Sequence, residues 1–147
     1  MIIVGELINS TRKKIKEAMQ NKDAEYIRDL AIKQDKAGAD FIDVNAGAFV
    51  TEEMENLEWA INEVQGVTKK PLAIDSPRGE AMAMGLKMHK NGKPMFNSIT
   101  RESDRWDQLF SLAASFFERI SLTILRVSLI LLSASTNFSK ISLVVSL

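Results

Sequence analysis

An α/β fold built on a parallel sheet follows from three features of the sequence. Four short apolar runs, MIIVGELIN, FIDVNAG, PLAIDS and KPMFNSIT, each close on an acid or an amide. Between them lie stretches whose apolar residues recur at steps of three and four, such as Met54, Leu57, Ile61 and Val64, the period of a helix with one buried stripe. The connections are short, and strand, helix, strand, helix in that rhythm gives βαβ units and parallel strands. A doubly wound sheet is expected to carry G-x-G-x-x-G or G-x-x-x-x-G-K-S/T after an early strand. The sequence has neither, so the prediction is the N-terminal half of a TIM-type (β/α)8 barrel. A full barrel takes about 250 residues, and these are 147, so a truncated barrel is expected, with open strand edges and a tendency to aggregate or self-associate.

The elements are justified in turn. After Ile2 to Ile8, Ser10 or Thr11 is placed to cap a helix carrying Ile15, Ala18 and Met19. Asp23 is placed to cap a second, with Ile27, Leu30 and Ala31 inward, and Gly38 suits its stop. Phe41 to Asn45 is the next strand, followed by a helix opened by Thr51 with Glu52 and Glu53 at its positive end. Pro71 to Asp75 is the third strand; Ser76 and Pro77 fit a cap and first helical position for a helix running towards Met88. Pro94 to Asn97 supplies the fourth, and a further helix is expected from Ser103, with Trp106, Leu109, Phe110 and Ala113 on one side.

Composition narrows the function classes. The chain is 46% hydrophobic and 26% charged, as expected of one ordinary globular domain. Nineteen basic residues balance nineteen acidic ones, so no global field draws it to nucleic acid or to an anionic membrane. Cysteine is absent, which removes disulfides and thiolate chemistry. MIIVGELINS carries no basic leader pattern, and a cytoplasmic location is expected.

The strand ends carry the chemistry. In a parallel barrel inward residues alternate with outward ones, and functional groups gather where the strands end. Asp43 and Asn45 share a face, Asp75 pairs with Ala73, and Asn97 pairs with Met95. With Asn9 on the first strand, these acids and amides are expected to line one mouth. Each taken alone is equally an ordinary turn former or helix cap. Together they suit a neutral heterocycle rich in N–H donors, rather than a phosphate or a carboxylate.

GELIN, GADFIDVNAG, PLAIDS and FNSIT, in that order and spacing over residues 1 to 116, resemble the pterin-binding methyltransferases that move a methyl group from methyltetrahydrofolate to a corrinoid protein, relatives of dihydropteroate synthase. The resemblance implies a barrel whose mouth binds the pterin ring. Asp75 and Asn97 would hydrogen-bond the pterin nitrogens, with Asp43, Asn45 and Asn9 completing or supporting the pocket. It also implies methyltetrahydrofolate as substrate, cobalamin or another corrinoid on a partner protein as methyl acceptor, no bound metal, and a homodimer. A Co(I) corrinoid would displace the folate amine, which needs a proton or hydrogen bond at N5 to leave. Dihydropteroate synthase itself fits less well, because DVNAG lacks the Gly-Gly-Glu-Ser continuation of that family.

The pterin-binding part is taken as residues 1–117. From Glu118 to Leu147 the text is rich in Ser, Leu, Ile and Val, without Gly, Pro or Asp, and is read as an atypical apolar tail translated out of frame or otherwise decayed. Ile120 to Leu132 would be a strand or helix over the raw barrel edge; with Arg126 inside it, it is too short for a membrane span. The family's second pterin-holding acid and its catalytic asparagine then map to no residue, so catalytic residues stay unassigned. Three readings stand together: the methyltransferase, a non-catalytic pterin-binding half, and an inactive fragment. His89 is read as a helix-end residue, Met82, Met84 and Met88 as packing, TRKKIK as a solvated face, and Trp59 and Trp106 as having no part in ligand stacking.

Overall fold

The computed structural model describes residues 2–100 and 140–144. Along the chain run β1 (Val4–Asn9), α1 (Lys13–Gln20), α2 (Ala24–Lys36), β2 (Phe41–Asn45), α3 (Glu53–Val67), β3 (Leu72–Asp75), α4 (Gly79–Met88), β4 (Met95–Thr100) and β5 (Lys140–Val144). They form one sheet in the order β1-β2-β3-β4-β5. The first four strands are parallel, each next to its predecessor in sequence, as expected of a partial TIM-type barrel. The helix expected from Ser103 and the Ile120 to Leu132 segment lie outside the described residues.

The expected open edge beyond the fourth strand is occupied. β5, from within the tail, pairs antiparallel with β4, matching Phe96 to Leu143 and Ile99 to Ile141. The segment's β-branched, nearly uncharged sequence suits a strand that must satisfy an exposed ladder.

Period-two alternation divides the sheet into two faces. Ile42, Val44, Leu72, Ile74 and Phe96 point to the helices and pack with Ile27, Leu57, Ile61 and Met82 in the main core. Val4, Phe41, Ala73 and Met95 form a smaller apolar cluster on the opposite, inward face. Burying residues of both parities is what a barrel strand requires, and all five residues of β2 are buried.

Helix starts differ from expectation. Asp23 caps α2 through Tyr26 N, and Gly38, at φ 88°, closes it as predicted. α1, α3 and α4, however, begin after Arg12, Glu52 and Arg78 with no side-chain cap; Ser10, Thr11 and Ser76, expected as caps of α1 and α4, are engaged elsewhere. The stripe of α3 is also rotated at its first turn: Glu53 is buried where Met54 was expected, and Met54 lies 36% exposed.

Candidate functional site

The inward face carries its polar groups at the C-terminal ends of the strands. Register places Asp43, Ala73 and Met95 at one level, and Asn45, Asp75 and Asn97 at the next. The apolar cluster of Val4, Phe41, Ala73 and Met95 lies at and below the lower level, so the acids and amides stand over an apolar base, as the alternation predicted.

Asp43 is the centre of this group. It is 1% exposed, and its Oδ1 accepts from Asn97 Nδ2 at 2.8 Å. Its Oδ2 is buried with no hydrogen-bond partner among the described residues. Burial, above all, raises its pKa from 3.8 to about 7; the charges of Asp75 and Glu6 add to the rise, and the Asn97 bond acts against it. Asp43 therefore holds its proton to near neutrality, and Asp75, half-buried at the mouth, is near enough for its charge to be felt.

Asn45 and Asn9 have local partners. Asn45 Oδ1 accepts from Ser10 Oγ at 3.2 Å and from Gly47 N at 2.9 Å, while Ser10 Oγ accepts from Ala48 N at 3.0 Å. This ties the loop after β1 to the loop after β2. Asn9 Oδ1 accepts from Thr11 N at 3.0 Å and from Thr11 Oγ1 at 2.7 Å, folding the chain towards α1. Between Gly5 and Ile8 the β1 ladder slips by a bulge, and Leu7 N turns to Gln34 Oε1 at 2.8 Å instead.

A second buried acid lies behind the mouth, one that the sequence reading did not assign to the site. Glu53, 1% exposed at the start of α3, accepts from Ser76 Oγ at 2.5 Å. Ser76 Oγ in turn accepts from Arg78 N at 3.0 Å, and Arg78 Nε lies 4.0 Å from Glu53 Oε2. The signal was in the sequence: Glu53 stands four residues before Leu57, an acid in line with an apolar stripe. Glu6, within β1, was likewise not taken into the site, although its charge is felt at Asp43.

Comparison with known proteins matches residues 5–126 to the model of the pterin-binding enzymes. The chain belongs to this family. It is also 41% identical over 113 residues to methylcorrinoid:tetrahydrofolate methyltransferase of Eubacterium limosum, an alignment covering 76% of this chain and 41% of that protein. The chain thus spans about two fifths of the length of that relative. The donor set fits a pterin: the ring's N–H and amino groups need acceptors, and carboxylates held over an apolar base provide them. The unpartnered, buried Oδ2 of Asp43 is the kind of atom such a ligand or its water would satisfy. Among the described residues no His, Asp and Glu group is arranged to hold a metal ion, and no helix is long and apolar enough to cross a membrane.

Proposed function

We propose that this chain holds the pterin ring of a tetrahydrofolate at the strand-end mouth and serves methyl transfer between its N5 and a corrinoid carried by a partner protein. The observation that carries this reading is the Asp43–Asn97 pair beside Asp75, in a pterin-binding family member. Asp75 accepts from the donor-rich edge of the ring, and charge-assisted bonds at a half-buried position are strong. Asn97 donates its Nδ2 to Asp43 Oδ1 and so holds that carboxyl in place beside Asp75. Asn45 and Asn9 support the pocket by bracing the loops of β1 and β2.

The relative's name gives the transfer from a methylcorrinoid to tetrahydrofolate, the reverse of the direction expected from sequence. We take that direction here. The methylcorrinoid carried by the partner would supply the methyl group and keep the bonding electron pair. N5 forms the new bond with its own lone pair and loses its proton. The chain's part is to orient N5 and to provide for that proton, and Asp43, titrating near neutrality, can hold or release one at Oδ2. By microscopic reversibility the same groups serve the opposite direction.

Two measurements separate binding from turnover. Calorimetric titration with methyltetrahydrofolate is expected to give saturable binding that Asp75→Ala weakens by about 100-fold or more. Folded protein that takes up no pterin overturns the proposal. Mixing with tetrahydrofolate and methylcobalamin and following cobalt absorbance then reads transfer. The alignment covers 41% of the relative, and an activity spread over a whole protein need not reside in that share. Binding without transfer is therefore the second reading, and a silent cobalt spectrum beside normal binding selects it.

A further inference from the structure

The loop that follows Asp75 is held from behind by a buried acid. Ser76, the next residue along the chain, is 2% exposed, and its hydroxyl is the hub of three contacts: it donates to Glu53 Oε1 at 2.5 Å, lies 3.3 Å from Arg78 O, and accepts from Arg78 N at 3.0 Å. Glu53 is 1% exposed and sits in the first turn of α3, where the helix's positive end favours a carboxylate. Its other oxygen lies 4.0 Å from Arg78 Nε, and Arg78 Nη1 reaches back to Val50 O at 3.5 Å on the preceding loop.

Asp75 is thus fixed on two sides. Before it, the ladder pairs Ala73 with Asp43 and Asp75 with Asn45 and Asn97. After it, the chain is pinned at once by Ser76. A buried carboxylate in line with Leu57, Ile61 and Val64 is a costly device where a leucine would pack well. What it provides that leucine cannot is a directional hydrogen bond that sets where the β3 end points.

We infer that Glu53 and Ser76 are positioning residues for the pterin: acting through the Asp75 backbone, they aim its carboxylate at the ring and so set ligand affinity. The inference rests on the pterin-binding reading above. A catalytic role is excluded by place, since Glu53 is sealed beneath the loop.

The test is a double-mutant cycle on methyltetrahydrofolate binding by calorimetry, with Glu53→Leu, which removes the acceptor, Ser76→Ala, the pair together, and Ser76→Thr, beside Asp75→Ala as reference. Each single substitution is expected to weaken binding by roughly tenfold, the double by little more than either, and Ser76→Thr to restore it, because the threonine hydroxyl can make the same bond. Thermal melts are run on every variant. Binding unchanged in variants that merely melt earlier gives Glu53 and Ser76 a structural role only and overturns the inference, as do losses that multiply. If Glu53→Leu fails to fold, Ser76→Ala and Ser76→Thr decide alone. Should Asp75→Ala bind as well as the unsubstituted chain, the pterin-binding reading itself fails; should only Asp75→Ala weaken binding, that reading stands and this inference falls.

Discussion

Asn97 Nδ2 donates to Asp43 Oδ1 across 2.8 Å although the two residues stand on strands separated by β3. In a flat sheet strands two places apart lie roughly 9–10 Å from each other, beyond the reach of two such short side chains. The bond forms because this face is concave and because Ala73, level with Asp43 on the strand between, raises only a methyl group beneath it. Curvature of the half-barrel and the polarity of its mouth are therefore one fact.

Asn97→Ala is expected to push the Asp43 titration above about 7, since the Asn97 bond is what now restrains the rise. Removing the donor leaves a buried carboxyl oxygen without it, and stability should fall by about 1–3 kcal/mol. Carbon-13 NMR of the aspartate carboxyls against pH reads the first effect and urea denaturation the second. A titration that does not move would mean that the bond does not persist in solution.

Asp43 also makes stability depend on pH. Its folded pKa lies above the unfolded one, so its favourable contribution is complete below about 3.8 and is lost as pH rises through about 7. Over that window the loss is on the order of 4 kcal/mol. Asp43→Asn keeps the shape without the titration, and its melting temperature should decline less between pH 5 and pH 8. Parallel curves for the two proteins would contradict the raised value.

Much of this site was legible because strand alternation is a hard constraint. Asp43, Asp75 and Asn97 fell on the inner face from parity alone, with Ile42, Val44, Leu72 and Ile74 opposite. Parity does not tell what a side chain at the last residue of a strand will do. Asn45 and Asn9 have backbone N–H groups two residues ahead within reach, and local geometry chose those partners. Ser76 looked like a cap because serine before proline often is one, while the buried acid it serves is 23 residues upstream. Pairings of that kind are set by tertiary packing. The β1 bulge left no mark in the sequence either, for its compensation comes from Gln34, on a helix packed against the sheet.

His89 titrates with the opposite sign. Its Nε2 accepts from Leu72 N at 3.2 Å, and burial lowers its pKa below 6.5. Unfolded chains take up a proton near 6.5 that the folded chain resists, so this contribution is present above 6.5 and lost as pH falls below it. Protonation would also remove the acceptor at the start of β3. His89→Gln supplies an acceptor without a titration, and is expected to hold its stability better than the unsubstituted chain on going from pH 7 to pH 5. Asp43 acts with the opposite sign in that interval, so each single variant leaves the other group's slope on its own. If His89→Gln changes nothing below pH 6, the imidazole does not carry this bond.

Gly85 tests how closely α4 lies on the strand that carries Asp75. A Cβ added there would come 2.7 Å from Ile74 Cγ2 and 3.2 Å from Ile61 Cδ1, both in fully buried side chains. In an exposed helix alanine is better than glycine by about 1 kcal/mol. Here that gain meets an overpacking cost of about 1–3 kcal/mol, since neither isoleucine has space to turn into. Gly85→Ala should therefore lower the urea midpoint without changing the slope, and should weaken pterin binding as well, because Ile74 is the residue before Asp75. Gly66→Ala is the control: that glycine lies in α3 with nothing within 4 Å of the added carbon, and the same change should be neutral or stabilising. If the two variants shift the midpoint alike, α4 does not press on β3, and the end of β3 is not held by that contact.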